Sequence, residues 1–164
     1  MITVEELRTL LSYEPTTGIF VWRTKRPGRQ CGDEAGTPDS WGYIQIRLRG
    51  RRYAAHRLAW LYVHGEWPPS EIDHANGNPG DNRLVNLRPA TKAQNNFNKR
   101  APVTNKSGVK GVRWHTRHKK WVAEIRVNGK KKHLGCFDSL EKAAAAYRDE
   151  AIAHHGEFAN TGYL

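Results

Sequence analysis

Residues 71–96, EIDHANGNPGDNRLVNLRPATKAQNN, hold one Asp–His pair followed by six Asn, with almost no apolar content. A run this polar buries no core of its own, so its shape depends on short elements and turns. One reading is a surface loop, since Asp and Asn favour turns. The other brings some of these side chains together on a metal ion and a phosphate. An EF-hand loop is excluded: counted from Asp73, Ala75 occupies the third ligand position and no Glu stands at the twelfth. Asn76, Asn78 and Asn82 read as turn-makers, with Asn82 bracing the loop, and His56 as a structural hydrogen-bonding residue.

Charge narrows the partner. The 164 residues, enough for one domain or two small ones, carry 27 Lys and Arg against 16 Asp and Glu, a net +11. That surplus repels itself unless a polyanion is the partner, and it is spread through structured-looking segments rather than one tail. Nucleic acid is the partner this implies. Only Cys31 and Cys136 are present, in no CxxC pair, which excludes a thiolate zinc site and argues against a disulfide framework. No apolar run nears the ~20 residues that span a bilayer, and the N-terminus lacks a signal-peptide core. The expectation is a soluble, intracellular protein with no membrane partner.

Local signals divide the chain. Thr3 and Glu6 form a capping box, with Ile2 and Leu7 as its hydrophobic staple, opening a short helix whose apolar face is Leu7, Leu10 and Leu11. Residues 18–23 read as a strand and residues 24–41 as a loop rich in Gly, Pro and charge. Ile44, Ile46 and Leu48 alternate with Tyr43, Gln45 and Arg47 in a hairpin turning at Arg49-Gly50. A short helix ending at Gly65 follows, with Leu58, Leu61 and Tyr62 able to face the core. Polar residues 101–107, with Pro102, read as a linker. Beyond them come strands at 110–115, 119–127 and 130–137, joined by an Asn128-Gly129 type I′ signal. A helix capped by Ser139 then runs to about His154, with Leu140, Ala143, Ala144, Tyr147 and Ala151 on one face.

The central stretch, HRLAW…IDHANG…DNRLVNLRPATKAQN, resembles the HNH nuclease family and its ββα-metal core, over about residues 53–98. The resemblance implies a strand ending at Asp73-His74, a second strand near Leu87-Arg88 and a helix from Thr91. It makes Asp73 and Asn95 ligands of a divalent metal, Mg²⁺ or Mn²⁺, His74 the general base, and Asn86 the support that orients His74 or pins its loop. Many members carry His where Asn95 stands; Asn is accepted in the homing-endonuclease branch, common in phage genomes, that this sequence looks most like. The chemistry suits these types: imidazole titrates near neutral pH, and carboxylate and amide oxygens are hard ligands that leave positions open for phosphate and water. With two protein ligands, metal binding before DNA arrives is expected to be weak.

The C-terminal stretch, KGVRWHTRHKKWVAEIRVNGKKKHLGCFDSLEKAAAAYRDEA, resembles the ethylene-response-factor (AP2/ERF-type) DNA-binding domain. That family packs three antiparallel strands on one helix and lays the sheet in the major groove. Trp121, Ala123, Ile125 and Val127 share one strand face with the helix, as do Val112 and Trp114 on their own strand, leaving a polar face opposite. Between Lys106 and His133 stand ten Lys or Arg and one acidic residue. Carried onto matching positions, the DNA contacts are Lys110, Arg113, His115, Glu124, Arg126, Lys131 and His133, with Arg117 in a turn one residue longer than usual. Arg47, Arg49, Arg51 and Arg52 form a second basic patch able to hold DNA.

The expected fold class is α+β: an N-terminal DNA-contacting region and HNH core over 1–100, a linker at 101–107, and the AP2/ERF-like domain over 108–164. The expected function is metal-dependent cleavage of duplex DNA by a monomer with no obligate protein partner, a single metal centre most simply nicking one strand. The alternative is a non-catalytic, sequence-specific DNA-binding regulator with a relic HNH fold.

Overall fold

Thr3 and Glu6 begin the first helix as their spacing predicts. Glu6 N–H donates to Thr3 Oγ1 at 3.2 Å, and Thr3 N–H donates back to Glu6 Oε2 at 3.4 Å. Ile2 and Leu7, the staple pair, are both buried. The helix, α1 (Val4–Leu10), passes directly into β1 (Leu11–Glu14), which pairs antiparallel with β2 (Ile19–Trp22). Leu11 therefore starts a strand instead of completing the helix face. Leu11 and Tyr13 point inward and Glu14 outward, the period-two pattern of a half-buried strand.

The computed structural model describes residues 1–102 and 104–160, and the chain falls into two units, Met1–Thr91 and Lys92–Leu164. In the first, β3 (Thr37–Pro38), β4 (Ile44–Leu48) and β5 (Arg51–Ala54) form an antiparallel sheet. Arg49 and Gly50 both take positive φ, +47° and +78°, as a type I′ hairpin turn demands. Next comes α2 (Ala55–His64), closed by Gly65 in the left-handed region, whose N–H donates to Leu61 O. Leu7, Leu11, Phe20, Ile46, Leu48, Leu58 and Leu61 are fully buried together. Each such side chain stabilises the fold by about 1.5–3 kcal/mol relative to exposure. The unit ends with β6 (Glu71–His74) and β7 (Leu87–Ala90), antiparallel, with Asp73 opposite Arg88 and His74 opposite Leu87.

The second unit opens with α3 (Lys92–Asn98), ahead of the segment where a linker was expected. Part of that segment is a built turn: Ser107 Oγ donates to Val112 O at 2.7 Å, and Asn105 Nδ2 donates to Val109 O at 2.7 Å. Val103 lies outside the described residues. The strands β8 (Val112–His115), β9 (Lys120–Val127) and β10 (Lys130–Phe137) form an antiparallel sheet in the order β10-β9-β8. Asn128 and Gly129 turn between the last two with φ +50° and +77°. Ser139 caps α4 (Leu140–His155), accepting from Lys142 N–H, and Ala143, Ala144, Tyr147 and Ala151 bury against Val112, Ala123 and Ile125. Gly111 permits this closeness, since a Cβ there would lie 2.3 Å from the Tyr147 ring. Two details depart from simple alternation. Trp114, expected on the helix-facing side, stays 44% exposed and packs edge-on against Trp121. The β9–β10 register slips between His133 and Gly135, so Leu134 is a bulge residue.

The architecture is thus α+β, with the polar stretch supplying β6, its long loop and β7. No helix among the described residues is long and apolar enough to cross a membrane.

Candidate functional site

His74 closes β6 and is 5% exposed. Its Nε2 lies 3.3 Å from Asn82 Oδ1. Asn82 Nδ2 donates to Gly80 O at 3.3 Å, which fixes the amide's orientation, so Oδ1 faces the imidazole as an acceptor. The ring proton accordingly sits on Nε2 and the basic lone pair on Nδ1. Burial holds the imidazole below its usual range, against the opposing pull of the Asn82 bond and the Asp73 and Asp81 carboxylates. Tyr43 stands 5.8 Å from the His74 ring, and His56 packs edge-on at 5.0 Å and 81°. The structural hydrogen bond expected of His56 is not found: its Nδ1 is buried without a partner among the described residues, and burial pushes its pKa down to about 3.

Asn86 does not reach the His74 ring through any hydrogen bond seen here; it pins the loop. Its Oδ1 accepts from Asn76 N–H at 2.9 Å, its Nδ2 donates to Asp81 O at 2.8 Å, and its carbonyl accepts from Ala75 N–H at 2.9 Å. Asp81 is a second hub, gripping Arg83 through two oxygens and accepting from Asn76 Nδ2; chiefly through Arg83, its carboxyl is held down to about 2. Asn76 and Asn78 serve as turn-makers, as expected, each accepting a backbone N–H two residues on. Ring orientation thus belongs to Asn82, which the sequence marked only as a loop brace. Its place opposite His74 depends on how the loop folds back, and spacing alone does not show that.

The N-terminal hairpin holds Asn82 from beneath. Tyr13 O–H donates to Asn82 O at 2.7 Å, and Leu84 N–H donates to Pro15 O at 3.0 Å. At Gly18, φ +77°, an added Cβ would stand 2.4 Å from Arg83 N and 2.5 Å from the Asn82 carbonyl carbon. Only glycine lets the two backbones approach so closely. Asn82→Leu, which keeps the volume and removes the acceptor, is expected to release the His74 tautomer. Ring ¹⁵N shifts should move from single-tautomer values toward the average, whereas unchanged shifts would show that Asn82 does not set the tautomer.

Asp73 is 3% exposed, and Arg88, its cross-strand neighbour, donates to Oδ2 from Nε at 2.9 Å and pairs through Nη2 at 2.8 Å. A buried carboxylate needs such a counter-charge. The expected metal ligand is thus held in a fixed plane by an arginine that spacing alone did not mark. Asn95 lies on α3, in the second unit. Among the described residues, no three of His, Cys, Asp and Glu gather as a metal cluster. The candidate donors are instead a carboxylate and an amide, oxygen ligands of the kind that suit Mg²⁺ or Mn²⁺.

On the sheet of the second unit, Glu124 lies 3.6 Å from Arg113 and 3.4 Å from Lys131. Arg126, Arg117 and His133 are exposed, and His115 sits by the following turn, its Nδ1 accepting from His118 N–H. Lys110 is half-buried: burial pushes its ammonium down to about 8, and Nζ donates to the carbonyls of Asn96, Phe97 and Lys99. In the first unit Arg47 and Arg52 are exposed cross-strand neighbours, Arg51 is exposed, and Arg49 is paired with Glu6 at 2.8 Å.

Both units are similar to known families. A family model described as HNH endonuclease matches residues 53–97, and one described as AP2 domain matches residues 107–156. Protein 3.8 of Escherichia phage T7 is 35% identical, over 71% of this chain and 94% of its own length. The uncharacterized HNH endonuclease L560 of Acanthamoeba polyphaga mimivirus is 33% identical, over 77% of this chain and 62% of its own. A solved structure described as DNA binding and cleavage by the HNH homing endonuclease I-HmuI is similar over 88% of this chain and 84% of that one, with 18% identity and a TM-score of 0.41.

Proposed function

Because the chain belongs to the HNH endonuclease family and carries an AP2 domain, we propose that it is a metal-dependent endonuclease that breaks phosphodiester bonds in duplex DNA. The observation that carries this reading is the buried His74 with its Nε2 set 3.3 Å from Asn82 Oδ1. An imidazole with its proton on Nε2 offers Nδ1 to take a proton from an attacking water. Asn86 keeps the loop closed around it through its bonds to Asn76 and Asp81. By the family resemblance, Asp73 and Asn95 would be the ligands of a divalent ion, Mg²⁺ or Mn²⁺, with Arg88 keeping the Asp73 carboxylate in place. When bound, that ion supplies charge neutralisation on the phosphate and steadies the departing oxygen. A monomer with one such centre nicks a single strand.

The second unit is the reader. Arg113, His115, Glu124, Arg126, Lys131 and His133 face the major groove, and Arg117 reaches a neighbouring phosphate from its turn. The exposed pair Arg47 and Arg52, with Arg51, adds phosphate contacts, and Arg49 joins them only by giving up Glu6. The net charge of +11 supports a polyanion of this density. Arg126→Ala is expected to weaken duplex binding by about 1–3 kcal/mol if it grips a base edge, or to lower the salt slope by about one if it grips phosphate. Filter binding across a salt series separates these, and no change in either quantity removes Arg126 from the interface.

The deciding experiment is conversion of supercoiled plasmid to open circle with Mg²⁺ or Mn²⁺, and its loss in EDTA. Plasmid left intact in every metal, beside sequence-selective retention of duplex DNA, would establish a binding regulator instead. Equal retention of single-stranded RNA at matched salt would put the assignment to DNA in error, since charge alone binds both.

A further inference from the structure

The helix α3 has seven residues, too few to stand by propensity alone. Its C-terminal carbonyls need donors, as at any helix end. Lys110 Nζ supplies three of them, donating to Phe97 O at 2.7 Å, Lys99 O at 2.6 Å and Asn96 O at 3.2 Å. Asn160 Nδ2 donates to the remaining one, Asn98 O, at 2.9 Å. A cation at a helix C-terminus also complements the helix dipole. On the side-chain level, the Phe97 ring stacks on His155 at 3.8 Å and 6°. His155 is itself tied to β9, its Nε2–H donating to Arg126 O at 3.1 Å. These supports come from the turn before β8, from α4 and from the residues after it.

We propose that Lys110 is a positioning residue and not a DNA contact: with Asn160 and the His155 ring it makes α3 part of the reader's own fold, so the helix bearing Asn95 is set in place by the unit that reads DNA. The inference rests on the reading of Asn95 as a metal ligand, and it reverses the role that resemblance gives Lys110. The helix bearing Asn95 is then held by residues of its own unit.

The test uses the full chain with Lys110→Met, which keeps the alkyl stem and removes the ammonium, and with Phe97→Ala, which leaves that ammonium and its carbonyl partners in place. Hydrogen exchange across residues 95–99 is expected to quicken about tenfold or more in Lys110→Met, and by less in Phe97→Ala. The Mn²⁺ concentration giving half-maximal plasmid nicking should rise several-fold, roughly as for other residues that orient a metal ligand, while the rate at saturating Mn²⁺ falls less. Duplex affinity and its salt slope should stay within about twofold of wild type. Unchanged α3 exchange in both variants overturns the proposal. So does a weaker duplex affinity with the salt slope reduced by about one, because that is the signature of a lost phosphate contact. A wild-type protein that nicks no plasmid in either metal defeats the nuclease reading by itself, and the exchange result still decides what holds α3.

Discussion

Full-length protein carrying His74→Ala is expected to retain duplex DNA as the wild type does and to nick supercoiled plasmid about 10²–10⁴-fold more slowly. The separation follows from where the residue sits. His74 is buried at the end of β6, its ring engaged with Asn82, Tyr43 and His56, whereas the basic side chains proposed as DNA contacts are exposed elsewhere. Removing an imidazole there deletes the proton acceptor and leaves the charge of the surface untouched. The truncation also opens a gap against Tyr43 and His56, so a thermal scan should accompany the rate, with the assay run well below the variant's Tm. His74→Gln, which fills more of the space without a comparable base, should lose a similar factor. Equal nicking by His74→Ala and wild type would refute the base assignment, and loss of DNA retention in step with rate would mean the fold had failed rather than the chemistry.

Gly18→Ala is expected to be the most damaging change outside the site. An L-residue at φ +77° costs about 1–2 kcal/mol. Its Cβ would meet backbone at 2.4–2.5 Å, and backbone, unlike a flexible side chain, has no alternative rotamer. Either the β1–β2 turn or the Asn82-Arg83 segment must give way. A combined cost of about 2–3 kcal/mol lowers the Tm of a unit this size by about 10 °C or more. Activity should fall further than stability explains, because displacement of Asn82 loosens the His74 ring. Comparing nicking at a fixed interval below each protein's Tm isolates that part. A variant that keeps wild-type Tm and rate would show that the hairpin and the loop do not bear on each other as described.

The elements that could be read from the chain are those whose causes are local. Thr3 and Glu6 reach each other within one turn, Asn128-Gly129 fixes its hairpin by its own dihedral needs, and Gly65 ends α2 by the same means. β1 escaped because Leu10 and Leu11 fit a helix face as well as a strand start, and only pairing with β2 decides between them. At the site, Asp73, His74, Asn86 and Asn95 stand out by type and interval, but their partners do not. Arg88 acts on Asp73 because a two-strand register puts them opposite, and Asn82 acts on His74 because the chain folds back on β6 within eight residues. Lys110 is marked as a DNA contact by resemblance alone, and nothing local in the sequence shows that α3 offers its ammonium three carbonyls. Contacts between residues distant in sequence were beyond the reach of pattern.

The family match over residues 53–97 invites treating that span as a portable cassette. The hairpin beneath it argues otherwise. Tyr13, Pro15 and Gly18 are upstream of the match, yet they carry the segment that meets the His74 imidazole. A chimera spliced in at Tyr53 would import every signature residue and arrive without the footing they stand on; a graft meant to work must begin with the first helix.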